Sequence, residues 1–131
     1  MATYTGHCHC AAVKYTFTIS PGLEEQELVS CNCSYCSTTG ALLLYPKTTD
    51  FSFTDGADNL TEYRFATGSI EHLFCKVCGT NMTAKSLVEG AFSGIQAVNA
   101  RTLDGIDLEN MKVKKVNGKD FTFPSKADGE K

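Results

Sequence analysis

The stretch Ile70-Glu71-His72-Leu73-Phe74-Cys75-Lys76-Val77-Cys78-Gly79 reads as a strand that runs straight into a cysteine knuckle. In a C-x-x-C-G turn the first cysteine ends the strand, and glycine after the second can take the positive φ that reverses the chain. Two further clusters accompany it: Cys8-His9-Cys10 near the N-terminus and Cys31-Asn32-Cys33-Ser34-Tyr35-Cys36 in the first third. Thiols two residues apart on a strand point to one face. Cys8 and Cys10 are therefore expected to approach one ion together, with His9 turned away from it.

The chain has 131 residues, which fits one domain, and seven of them are cysteine. An odd count leaves one thiol over in any all-disulfide scheme. Residues Met1 to Cys8 lack the basic start and apolar run of a secretory signal, and no apolar stretch is long enough for a bilayer. The expected compartment is the cytoplasm, where thiols stay reduced. A single cysteine is often a small buried apolar residue. Seven in three tight clusters point instead to metal. A redox C-x-x-C pair belongs in a βαβ unit, and none is legible. Four ligands close a structural zinc site and three leave a position open, so seven divides as four plus three. The C-x-C-x-x-C run can supply three thiolates locally, leaving Cys8 and Cys10 with Cys75 and Cys78. Cys31 and Cys33 with Cys75 and Cys78 would also make a tetrad, and spacing alone does not separate the two.

Outward from the clusters, short apolar runs alternate with turn residues. Ala12 to Ile19 alternates apolar and polar and is rich in β-formers, and Ser20-Pro21-Gly22 stops it. Further strands are expected at Glu24 to Ser30, Ala41 to Tyr45, Phe51 to Thr54, Glu62 to Ala66, Thr80 to Ser86, Ala91 to Val98 and Lys112 to Val116. With 11 glycines and no long helical stripe, the pattern predicts an all-β domain over residues 1–123. Residues 124–131 form a polar C-terminal tail.

The formal net charge of −3 gives no electrostatic reason to expect nucleic acid or an acidic membrane as partner. The local basic run Lys112, Lys114 and Lys115 alternates with Val113 and Val116. It reads as the solvated side of an edge strand.

At the three clusters the sequence resembles the glutathione-dependent formaldehyde-activating enzyme family, which also includes centromere protein V. The resemblance runs from Gly6 to about Phe121 and rests on Gly6-His7-Cys8-His9-Cys10, Cys31-Asn32-Cys33-Ser34-Tyr35-Cys36 and Phe74-Cys75-Lys76-Val77-Cys78-Gly79. Val98-Asn99-Ala100-Arg101-Thr102-Leu103-Asp104 and the following Gly105 add to it. The resemblance implies a β-tent, Mss4-like fold with two zinc ions. Cys8, Cys10, Cys75 and Cys78 would hold the structural one, and Cys31, Cys33 and Cys36 an open one. It also implies a carbon–sulfur lyase activity, the condensation of glutathione with formaldehyde to S-hydroxymethylglutathione. The family commonly has glycine where this chain has Ala11, and histidine where it has Asn32.

Three thiolates over-neutralise a zinc dication, which suits exchange with another soft sulfur ligand better than activation of water. Addition of a sulfur to an aldehyde carbon, or its reversal, is the expected reaction; a non-catalytic, zinc-stabilised interaction module is the alternative. The sequence singles out no proton donor. His7 and His9 read as outward residues, His72 as packed or exposed in preference to catalytic, and Tyr35 as either pocket lining or core. Arg64, Lys85 and Arg101 are the cations that could meet the carboxylates of a glutathione-like substrate.

Overall fold

The computed structural model describes residues 2–65, 68–90 and 92–118. Alternation sets its first sheet. β1 (Ala2–His7) runs antiparallel to β2 (Lys14–Ile19), with Tyr4 opposite Phe17 and Gly6 opposite Tyr15. β5 (Phe51–Asp55) pairs with the other edge of β2. Because β side chains alternate between faces, Tyr15 and Phe17 emerge together, both fully buried, and stack with Phe51.

Among the described residues the second sheet has seven strands. They are β3 (Glu27–Cys31), β4 (Leu43–Leu44), β6 (Leu60–Tyr63), β7 (Ile70–Cys75), β8 (Asn81–Ser86), β9 (Gln96–Asn99) and β10 (Lys112–Val116). Their order is β10-β3-β4-β9-β8-β7-β6, antiparallel throughout except that β10 lies parallel to β3. The register divides the residues by face. Leu44 pairs with Val98, and Leu28, next to Val29, falls on the same side. All three are buried in one core with Tyr15 and Phe17 of the smaller sheet and with Val13 just before β2. The opposite face carries Cys31, Leu43, Asn99, Ala97, Ala84 and His72, and there the site is built.

The all-β expectation holds, with differences that have local causes. β1 carries little signal in the sequence, since Thr3-Tyr4-Thr5-Gly6 offers one large apolar residue. The Cys8-His9-Cys10 segment is a turn beyond the end of β1 and not a strand. A short helix, α1 (Ser34–Thr39), stands where the sequence predicts no regular element. Cys33 caps its start, accepting the Cys36 N–H on its sulfur, and Gly40 ends it in the left-handed conformation. The strand expected from Ala91 begins only at Gln96, after the turn that contains Gly94. The start expected at Glu24 becomes a single 3-10 turn, Leu23–Glu25, and the strand starts at Glu27. The strand expected over Glu62 to Ala66 lies earlier, at Leu60–Tyr63, and Ala66 is outside the described residues, as is the 124–131 tail. Lys112–Val116 is an edge strand, in keeping with its alternation.

Candidate functional site

Two groups of thiols assemble. Cys8, Cys10, Cys75 and Cys78 have their sulfurs within 4.8 Å of one another, and so do Cys31, Cys33 and Cys36. In the first group Cys8 and Cys10 lie 3.6 Å apart, and Cys10 and Cys75 lie 3.8 Å apart. Zinc–sulfur bonds of about 2.3 Å at tetrahedral angles put sulfurs about 3.8 Å apart, so the spacing fits that ion.

Each half of the tetrad is a turn whose amides face sulfur. Cys75 ends β7. The Val77 N–H points to its sulfur at 3.4 Å, and Gly79, at φ 80°, returns its N–H to the Cys75 carbonyl. Cys8 mirrors this, accepting the Val13 N–H on its sulfur at 3.3 Å. Cys8 and Cys75 are fully buried, whereas Cys10 is exposed.

Ala11 follows that second turn at φ 67°, the one positive-φ non-glycine among the described residues. A β-carbon there costs about 1–2 kcal/mol. Its methyl is exposed, so little packing depends on it. Ala11→Gly is expected to stabilise the fold by about 0.5–1 kcal/mol after the added unfolded-state entropy, raising Tm by about 2–4 °C. A lower Tm in thermal denaturation would refute this reading of the turn.

The proton affinities are uneven within each group. The Thr80 hydroxyl, 3.1 Å away, leads in holding Cys78 down to about 5. The Ala12 amide acts to lower Cys10, but local desolvation beside the other three thiols and their hydrogen bonds outweigh it and push Cys10 up to about 12, although its residue is exposed. In the trio, burial acts to raise Cys33, but the amides of Cys36 and Tyr35 and the neighbouring thiols outweigh it and lower its pKa. Burial first, then Cys33, raises Cys36, while burial raises Cys31. Cys78 and Cys33 are therefore the thiols shifted toward the thiolate in their groups, and a bound dication supplies what the remaining thiols need to lose their protons. Both donor sets fit a soft-to-borderline divalent metal such as zinc.

The trio is held from three directions. Cys31 ends β3, Cys33 caps α1, and Cys36 lies in the first helical turn. The Asn32 N–H donates to the Val116 carbonyl, and its side-chain amide donates to Asn117. Gly118 lies so close that a β-carbon there would collide with the Cys31 sulfur.

The trio opens onto a chamber of about 640 Å³. Tyr35, Phe65 and His72 form one wall, and Tyr45 and Phe92 another. The His72 ring lies 3.9 Å from that of Tyr35, centre to centre, and the Tyr35 hydroxyl donates to Asn81. His72 is 7% exposed, and neither ring nitrogen has a hydrogen-bond partner among the described residues. Burial pushes its pKa down to about 4, so the imidazole is neutral at pH 7. Burial and the trio push the Tyr45 phenol up to about 12, so it keeps its proton.

The other sequence candidates divide. His9 is exposed, and only its backbone bonds to Thr80. His7 is exposed and pairs with Asp104 at 2.8 Å, away from the chamber. Arg64 meets Glu62 and the Gly68 carbonyl, and Arg101 the Gly40 carbonyl. Lys85 is among the lining residues, but its register sets it across from Glu71 and Gln96, on the face opposite Ala84. No local pattern in the sequence signals the chamber, whose walls come from segments far apart in the chain. For His72, on a strand feeding the knuckle, the sequence favours packing or exposure over catalysis.

Residues 3–118 match the family described as glutathione-dependent formaldehyde-activating enzyme. A crystal structure of a Rhodobacter sphaeroides protein is similar at 28% identity and a TM-score of 0.72. The match covers 84% of this chain and 99% of that one.

Proposed function

This chain belongs to the glutathione-dependent formaldehyde-activating enzyme family, and on that premise we propose that it adds a thiol sulfur to an aldehyde carbon and reverses that addition. With glutathione and formaldehyde the adduct is S-hydroxymethylglutathione, and the reverse step is a carbon–sulfur lyase reaction. One observation carries the reading: three thiols converge at the wall of a chamber large enough for a substrate. A brace alone has no need of such a cavity.

Cys31, Cys33 and Cys36 would hold one zinc ion, and Cys8, Cys10, Cys75 and Cys78 a second. The first would supply a Lewis-acidic position suited to a soft sulfur ligand, and the second would fasten the N-terminal turn to β7. The protein's own residues do the positioning. Asn32 and Gly118 fix Cys31 against the end of β10, and the Cys36 amide supports the Cys33 thiolate. Tyr35 and His72 wall the approach. In the forward step the thiol gives up its proton, a sulfur lone pair forms the C–S bond, the carbonyl π pair moves to oxygen, and that oxygen takes up the proton the thiol released. No oxidant or reductant is needed.

We assign the domain to residues 1–123 with a polar tail at 124–131, and the compartment to the cytoplasm. No helix among the described residues is long and apolar enough to cross a membrane. The test is proton NMR exchange between free and glutathione-bound formaldehyde, with the uncatalysed rate subtracted. Reduced, zinc-replete protein is expected to raise the exchange rate at least about tenfold, a modest yield for a positioned thiolate. No rate above background would refute the reaction and favour an interaction module.

A further inference from the structure

The chamber is hollow because two residues on the sheet are small. His72 lies opposite Ala84, and Ala84 opposite Ala97, so one row across β7, β8 and β9 reads histidine, alanine, alanine. Side chains directly opposite share a face. The two methyl groups therefore leave a floor between the Tyr35–Phe65–His72 wall and the Tyr45–Phe92 wall.

The chemistry of that lining is unlike a tripeptide. Glutathione carries two carboxylates and an ammonium. Among the described lining residues none is acidic, none is arginine, and Lys85 is set by its register toward Glu71. The hydroxymethyl group of a formaldehyde adduct would fill only a small part of about 640 Å³. An apolar group of phenyl size fits the aromatic walls and leaves the charged parts of the thiol at the mouth.

From this geometry we propose that the site takes hemithioacetals of apolar aldehydes, aromatic or branched, with the aldehyde's carbon group on the Ala84–Ala97 floor. The proposal rests on the reaction above and names its substrate class. Breakdown of such an adduct passes the hydroxyl proton through solvent at the mouth to the departing sulfur, restores the carbonyl and returns the C–S electron pair to that sulfur. Formation is the reverse, and the redox state does not change.

The test uses two stable thioethers and the reduced, zinc-replete chain. S-benzylglutathione is expected to bind at least about tenfold more tightly than S-methylglutathione by titration calorimetry, from burial of the ring. Ala97→Leu fills the floor without touching either thiol group and should reduce the difference to less than about threefold. Ala84→Leu serves if that variant fails to fold. Equal affinities for the two thioethers, or a preference that survives both leucine variants, overturns the assignment of the floor. If formaldehyde exchange is catalysed but the benzyl preference is absent, the reaction stands and this inference falls. If the benzyl preference is present and no aldehyde exchanges, the reaction falls and the ligand assignment of the chamber stands.

Discussion

Cys75→Ala is expected to abolish soluble expression or to lower Tm by more than about 10 °C. Cys75 is fully buried at the end of β7, and its sulfur sits 3.8 Å from that of Cys10. A structural zinc site contributes about 10–16 kcal/mol of apparent binding free energy in small domains, whereas a whole domain's net stability is about 5–15 kcal/mol. Losing one ligand of four therefore threatens the entire fold. Cys8→Ala should behave alike, since Cys8 is also fully buried and accepts the Val13 amide on its sulfur. Thermal denaturation followed by circular dichroism checks this. An unchanged melting curve for both variants would mean that the four sulfurs do not hold a metal that stabilises the fold.

Cys36→Ser is expected to show the opposite balance. The rate of adduct exchange should fall by at least about a hundredfold, while Tm falls by only a few degrees. Its sulfur belongs to the trio, and the tetrad draws on none of the same residues. Oxygen is also a poorer partner than thiolate for a site of this softness. The measurement pairs proton NMR exchange with a melting curve on the same sample. Equal losses of rate and stability would make the trio a brace and not a reaction centre.

The all-β class is legible in the alternation of Ala12–Ile19 and in short apolar runs that stop at glycine and proline. The clusters are legible too, because seven cysteines in three tight groups suit metal binding and little else. The division between them is not. Only the register that brings the N-terminal turn to β7 places Cys8 and Cys10 beside Cys75 and Cys78, and the Cys31 group elsewhere. α1 is hidden because Ser34-Tyr35-Cys36-Ser37-Thr38-Thr39 is weak in helix formers. Its cap is a cysteine sulfur, not one of the usual oxygen-bearing residues. His72 reads as packed or exposed in the sequence because the chamber it faces requires α1 above and β8 beside it. Ala84 and Ala97 carry no chemistry to notice. Their meaning is their small volume at one row of a sheet, which no local pattern reveals. The β-class and the Mss4-like expectation agree with the strand layout, while the proposed lyase chemistry draws its support from the family and the trio together.

The most direct measurement is metal content of the reduced, zinc-replete protein, taken on the wild type and on Cys36→Ser. Two zinc ions per chain are predicted for the wild type. About one is predicted for the variant, with the remaining ion held tightly against a chelator because four thiolates close its site. A single tightly bound zinc in the wild type, even after zinc is added back, would contradict the four-plus-three account.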